Sequence, residues 1–178
     1  MSELEGEARS VWAALEFRKP MMLRNVEPLD EAQVRWRPGP GRNSIAWQLW
    51  HIAEVEDVWV RTCLLDEEPH FALGRPLVDA GDDFPPKADL LRYFHDVRAL
   101  SRSRLEAMSG ADFDRRVRDP DFGEMAARDL WAGVATSFAW HAGQIALTAK
   151  LIPNTPIETW RFTKWGAPGR GLNEGDSL

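Results

Sequence analysis

The sequence has little cysteine, no long apolar run and no excess of positive charge. Its 178 residues include one cysteine, Cys63, so neither an internal disulfide nor a cysteine-rich zinc site is expected. No apolar run approaches the roughly 20 residues that a membrane-spanning helix needs. The polar, acidic start MSELEGEARS does not resemble a signal peptide. These absences favour a cytoplasmic protein with no membrane partner.

The charge balance argues against nucleic-acid binding. The net charge is -6, whereas proteins that bind DNA or RNA generally neutralise phosphates with clustered lysine and arginine. The one basic cluster, Arg115, Arg116 and Arg118, alternates with aspartates, and we interpret it as a solvated loop. We therefore expect no nucleic-acid partner.

The chain is rich in tryptophan, with nine residues, and has enough apolar residues to form one core. Hydrophobic residues make up 44% of the chain, which suits a single globular domain of this length. Trp47, Trp50 and Trp140 lie beside the two histidines discussed below. Because an indole N–H needs a partner, such a cluster indicates either the wall of a partly apolar pocket or simply a well-filled core.

Four long segments carry the apolar spacing of helices. The first spans about 4–26 and should break near Pro20. A brief helix follows Asp30, which forms an Asp-x-x-Gln capping pattern with Gln33. The second long helix should begin after Asn43 or Ser44, either of which can cap it, and end near residue 65.

The remaining helices complete an all-α fold. The third should begin at Pro86, and the fourth should begin near residue 123 or 124 and end near residue 152. No segment predicts a strand with any strength. Four such helices predict a four-helix bundle over 1–152, and the long connection 66–86 favours a crossover topology. Residues 153–178 form an irregular C-terminal tail that we expect to pack on the bundle or at a dimer interface.

Two histidines interrupt apolar runs: His51 in NSIAWQLWHIAE and His141 in SFAWHAGQIALTAKL. Both lie near mid-helix, where side chains from facing helices of a bundle can meet and hold a metal. Neutral imidazole is a good ligand for zinc or nickel, but a catalytic zinc normally has three protein ligands. Ser137, one turn before His141, is a poor ligand, whereas Glu54, three residues after His51, could complete a set. The alternative is two buried rings that hydrogen-bond to neighbours and bind no metal.

Other side chains are weaker candidates. Gln144, three residues after His141, could orient an imidazole or could join two helices. His70 lies in an acidic loop and is not expected in the site, and His95 lies beside the apolar stripe of the third helix, where it is either half-exposed or faces the cavity. Cys63 is interpreted as a small buried hydrophobe.

The two histidine motifs together resemble the DinB-like (DinB/YfiT) superfamily. Ser44, Ile45, Trp47, Leu49 and His51 match a Ser-Ile-x-Trp-x-Leu-x-His pattern that follows a Pro-Gly segment. The run from His141 to Ile145 matches a His-x-Gly-Gln-Ile signature on the last bundle helix. The resemblance covers about residues 8–152.

This resemblance implies an antiparallel four-helix bundle with a long crossover, often as a homodimer. It also implies a divalent metal, zinc or nickel, held by three histidines at positions 51, 137 and 141. Position 137 is serine here. The chain could therefore be metal-free, could bind a metal weakly with water filling in, or could recruit Glu54.

The resemblance further implies thiol-dependent S-transferase chemistry on small electrophiles, with thiols such as mycothiol or bacillithiol. His51 and His141 would then hold the metal, and Trp47, Trp50 and Trp140 would shape the pocket. The alternative is a non-catalytic, stress-associated protein that binds a small ligand or dimerises and has lost the metal site.

Overall fold

The structure, a computed structural model, describes Leu4 and residues 6–155. The predicted tail from 153 lies almost entirely outside the described residues. Within them the α-helices and strands, in chain order, are α1 (Gly6–Phe17), α2 (Lys19–Val26), α3 (Glu31–Arg35), α4 (Ile45–Val58), α5 (Lys87–Ala107), α6 (Gly110–Asp114), β1 (Arg116–Asp119), β2 (Gly123–Ala126) and α7 (Ala127–Leu151). A π-helical turn, Trp59–Leu64, extends α4, and a 3-10 turn covers Leu77–Asp79. None of these helices is long and apolar enough to cross a membrane.

The predicted helix starts are explained by local capping. Ser44, rather than Asn43, caps α4, because its hydroxyl accepts the N–H of Trp47 at 3.1 Å. The capping box between Asp30 and Gln33 is present at the start of α3. The first long helix breaks at Arg18, and Pro20 lies in the first turn of α2, where a missing N–H costs little.

The four long helical segments form the predicted bundle, and the connection after α4 is the expected crossover. Tyr93 donates a hydrogen bond to Asp57, and further along both helical segments Leu65 lines one small cleft together with Arg104 and Met108. Helices α4 and α5 are therefore adjacent and roughly parallel. The chain between them must return along the length of the bundle, which explains why that connection is long.

The remaining contacts close the ring of helices. Helix α5 packs antiparallel to α1, since Arg98 donates to the carbonyl of Leu15 at 2.8 Å and the guanidinium of Arg102 lies over Trp12. Helix α7 packs on α1, α2 and α4. The rings of residues 51 and 141 are neighbours, and Trp59 lies against Gly133, so α4 and α7 are antiparallel.

A buried ion pair joins α1, α4 and α5. Arg98 donates to Glu56 at 2.9 Å, and both side chains are 2% exposed. Ser101 donates to the other carboxylate oxygen of Glu56 at 2.6 Å, and the guanidinium of Arg98 lies over the rings of Phe94 and Phe138. The carboxylate and the two outer guanidinium nitrogens are therefore compensated in the core.

The expectation of no strand was wrong at one place. Residues 116–119 and 123–126 form an antiparallel hairpin, with Val117 opposite Met125. The carboxylate of Asp119 accepts two backbone N–H groups of the turn, and Gly123 adopts a positive φ of 80°. The basic cluster read as a solvated loop is thus partly strand β1, and α7 begins at Ala127, later than predicted.

Candidate metal or ligand site

The two helix-borne histidines lie side by side at the interface of α4 and α7. The ring centroids of His51 and His141 are 4.6 Å apart, with an interplanar angle of 69°. Trp47, one turn before His51 on α4, stacks on that ring at 4.6 Å and lies 6.4 Å from the ring of His141. The antiparallel packing of two helices therefore builds a cluster of three aromatic rings.

Both imidazoles are held neutral near pH 7. Burial, and secondarily the charge on His141, lowers the pKa of His51 to about 4. Burial also lowers the pKa of His141, and a hydrogen bond with Gln144 offsets part of that effect. A neutral imidazole keeps a free lone pair, which is the form that binds a metal or accepts a proton.

One imidazole nitrogen is left without a partner. The Nδ1 atom of His141 is buried and makes no hydrogen bond within the described part of the chain. Leaving such an atom unpaired costs about 1–3 kcal/mol, so its presence calls for an explanation. A bound ion, a ligand or a water molecule would each satisfy it.

Glu54 does not join the histidines, contrary to the sequence-based ligand set. Its carboxylate accepts the indole N–H of Trp50 at 2.8 Å and the backbone N–H of Leu77 at 3.0 and 3.1 Å. Burial raises the pKa of Glu54, and these hydrogen bonds oppose the increase. Its role here is to tie the returning 65–86 connection to α4.

The three predicted pocket tryptophans have three different environments. Trp47 belongs to the ring cluster, and Trp50 is buried in the core with its N–H on Glu54. Trp140 is 67% exposed, so its predicted place in the pocket is wrong for the described chain. The reason is helical geometry: the residue next to His141 points about 100° away from it around the helix.

The remaining candidates are placed largely as expected. His95 is exposed on α5, and His70 is 59% exposed, with Nδ1 3.7 Å from a carboxylate oxygen of Asp57. Cys63 is buried, as predicted. Ser137 is half-buried, one turn from His141 on α7.

The comparisons with known proteins agree with this architecture. The family model described as the DinB superfamily matches residues 14–149. The chain belongs to the DinB superfamily. No curated protein matches the sequence.

Two solved structures share the fold of this DinB-superfamily chain. A conserved protein from Enterococcus faecalis is similar with a TM-score of 0.69 and 18% identity, over 81% of this chain and 95% of that one. YfiT from Bacillus subtilis, described as a probable metal-dependent hydrolase with an unusual four-helix bundle topology, is similar with a TM-score of 0.61 and 15% identity, over 84% and 90% of the two chains. At these identities the likeness concerns the fold.

The fit of a metal to this DinB-superfamily site is partial. Two neutral imidazoles and an unpartnered, buried ring nitrogen suit a divalent ion. Nevertheless, the described residues contain no group of three or more His, Cys, Asp or Glu side chains that could hold one. Any ion at His51 and His141 would thus complete its coordination with a weak ligand such as the Ser137 hydroxyl, with water or with substrate.

Sequence reasoning overlooked one polar side chain beside this site. Gln48, one turn before His51 on α4, is 2% exposed, and its Oε1 has no hydrogen-bond partner among the described residues. The available signal was a lone glutamine inside the apolar run SIAWQLW. A buried, unpaired amide oxygen in such a run is uncommon and calls for a polar partner, either a ligand or a water molecule.

Proposed function

We propose that this protein holds a divalent metal ion, zinc or nickel, between His51 and His141 and catalyses a metal-assisted, thiol-dependent transfer to a small electrophile. The observation that carries the proposal is the pair of neutral imidazoles 4.6 Å apart with one buried, unpartnered nitrogen. Membership of the DinB superfamily and the description of YfiT as a probable metal-dependent hydrolase support the metal-dependent part of this proposal, whereas the thiol transfer rests on the resemblance of the two histidine motifs.

The residues of the chain have separable roles in this proposal. Stacking on Trp47 holds the ring of His51 in one orientation, and the hydrogen bond with Gln144 fixes that of His141. Burial keeps both rings unprotonated, so they remain ligands rather than cations at neutral pH. A bound ion would supply Lewis acidity and lower the pKa of a thiol or water molecule at its open positions.

A second function is favoured by Ser137. A two-histidine site lacks the third strong ligand of a resident catalytic ion, and within the described residues no other His, Cys, Asp or Glu supplies it. In that case the protein would be a non-catalytic, stress-associated binder of small ligands. The unpaired nitrogen of His141 would then accept a hydrogen bond from the ligand.

Metal titration of the EDTA-treated full chain separates the two functions. Calorimetry with Zn²⁺ and with Ni²⁺ should show one site, and both His51→Gln and His141→Gln should abolish it. His95→Gln, at an exposed position, is the matched control and should titrate like the wild type. Absence of any saturable metal binding in the wild type would contradict the first function and leave the second.

Restoring the missing ligand provides a further test. Ser137→His should raise the metal affinity by orders of magnitude, because a third imidazole at the preceding turn would face the same ion. An affinity equal to that of the wild type would contradict the inferred coordination.

We also propose that the protein works in the cytoplasm as a homodimer. Trp140 and Leu147, two turns apart on the outer face of α7, are 67% and 61% exposed, which is unusual for large apolar side chains. Trp140→Glu should therefore shift the mass in solution from dimer to monomer. Lys150→Glu, an exposed position on the turn after Leu147, is the control.

A further inference from the structure

A cleft lies one helical turn from the histidine pair and is not lined by either ring. It has a volume of about 630 Å³ and runs between α4, α7 and the Pro-Gly segment 38–43. Gln48 precedes His51 by one turn on α4, and Gln144 follows His141 by about one turn on α7. Because these helices are antiparallel, both steps lead in the same direction along the bundle. The cleft has the size of a small-molecule site, about 300–1,000 Å³.

The wall of this cleft contains an acceptor that nothing in the described chain satisfies. Gln48 lines the cleft, its side chain is 2% exposed, and its Oε1 has no hydrogen-bond partner among the described residues. An apolar residue of the same size would avoid the desolvation cost that this amide imposes. The amide oxygen is itself buried, so a ligand that brings an N–H or O–H donor reaches it after a small rotation of the Gln48 side chain.

One cationic side chain lines the cleft. Arg42 is the one charged side chain among the described residues that line it, and within those residues no carboxylate pairs with it. Arg42 also lies two residues before Ser44, which caps the N-terminus of α4, where the helix dipole adds positive potential. Leu151, from the last turn of α7, contributes an apolar wall. These features suit an anion with an apolar part.

We propose that this cleft binds a small organic carboxylate that also carries an N–H or O–H donor and an apolar group. The carboxylate pairs with Arg42, the donor satisfies Oε1 of Gln48, and the apolar group lies against Leu151. This site is distinct from the proposed metal site and does not depend on it. Its test is therefore carried out in the presence of EDTA.

Three matched probes separate the recognition elements. N-acetyl-L-leucine has the carboxylate, the amide N–H and the apolar group, whereas N-acetyl-L-leucinamide lacks the charge and 4-methylpentanoate lacks the amide. In calorimetric titrations of the full chain, N-acetyl-L-leucine should bind most tightly. Loss of the amide should weaken binding about 2–10-fold, and loss of the charge should weaken it about 10-fold or more. Equal affinities for all three probes, or no saturation of N-acetyl-L-leucine in the millimolar range, would overturn the proposal.

Gln48→Met distinguishes a ligand contact from a structural one. It should weaken N-acetyl-L-leucine binding about 2–10-fold, leave 4-methylpentanoate binding unchanged, and leave the free energy of urea unfolding equal or higher, because it removes an unpaired buried acceptor. Lower stability of the ligand-free variant, or unchanged N-acetyl-L-leucine binding, would contradict the role of Gln48. If Gln48→Met fails to fold, the exposed Arg42→Gln remains decisive, since it should remove the preference for N-acetyl-L-leucine over its amide.

Discussion

Acidification should lower the free energy of unfolding, because the buried ring of His51 resists protonation in the folded protein. The pKa of His51 lies at about 4 in the folded protein, against 6.5 in an unfolded chain. Between these values the unfolded ring takes up a proton and the folded ring does not. The stability associated with His51 is thus fully present above about pH 6.5 and is lost as the pH falls towards about 4. One pKa unit corresponds to about 1.4 kcal/mol, which sets a ceiling of about 3 kcal/mol, and solvent screening of this half-buried ring reduces the expected loss to about 1–2 kcal/mol.

The assay is urea unfolding of EDTA-treated protein, followed by tryptophan fluorescence, at a series of pH values across that window. His51→Gln removes the titrating ring. Between about pH 6.5 and pH 4, the free energy of unfolding of this variant should therefore fall by about 1–2 kcal/mol less than that of the wild type. His95→Gln, at the exposed position on α5, should follow the wild-type profile. Parallel profiles for the wild type and His51→Gln would refute the argument that burial keeps this ring neutral.

Three further substitutions test the contacts that hold α4 in place in the bundle. Arg98→Met should lower the free energy of urea unfolding by about 3–5 kcal/mol, because it leaves the carboxylate of Glu56 buried without its cation. The double variant Arg98→Met/Glu56→Leu should recover most of that loss. Glu54→Ala should destabilise the fold by about 1–3 kcal/mol, because the N–H of Leu77 loses its acceptor. It should also speed limited proteolysis between α4 and α5. An unchanged cleavage rate would contradict the inference that Glu54 holds this connection against α4. Ser44→Ala should lower stability by about 1 kcal/mol through loss of the α4 cap, whereas Ser44→Thr, which keeps the capping hydroxyl at this buried position, should lose less.

Helices could be predicted from the sequence because their signals are local and repeated. Apolar residues recur every three or four positions over more than 20 residues in α5 and α7, and side chains such as Ser44 mark helix starts. The hairpin could not be predicted in the same way. Each strand has four residues, and only Val117 and the partly buried Met125 pack on the apolar core, which is too few for an alternating pattern to emerge.

The site was only partly predictable, since spacing along one helix does not determine which partner a side chain meets. His51 and His141 could be paired because both lie mid-helix on stripes that face a bundle core. Glu54 lies at a plausible spacing from His51, but its carboxylate is taken by the N–H of Leu77, from a connection whose path has no sequence signal. Trp140 is adjacent to His141 in sequence and nevertheless faces outward.

The parallel arrangement of α4 and α5 has a consequence for how the chain folds. Two helices joined by a short turn can pack as a local antiparallel hairpin. Here α5 can pack on α4 only after the 65–86 segment has closed a long loop that runs the length of α4. The partners of the Glu56–Arg98 pair are separated by 42 residues. Such non-local contacts slow the search for the native topology. This bundle should therefore fold more slowly than an up-and-down bundle of equal length, and α4 should gain its protection from hydrogen exchange late.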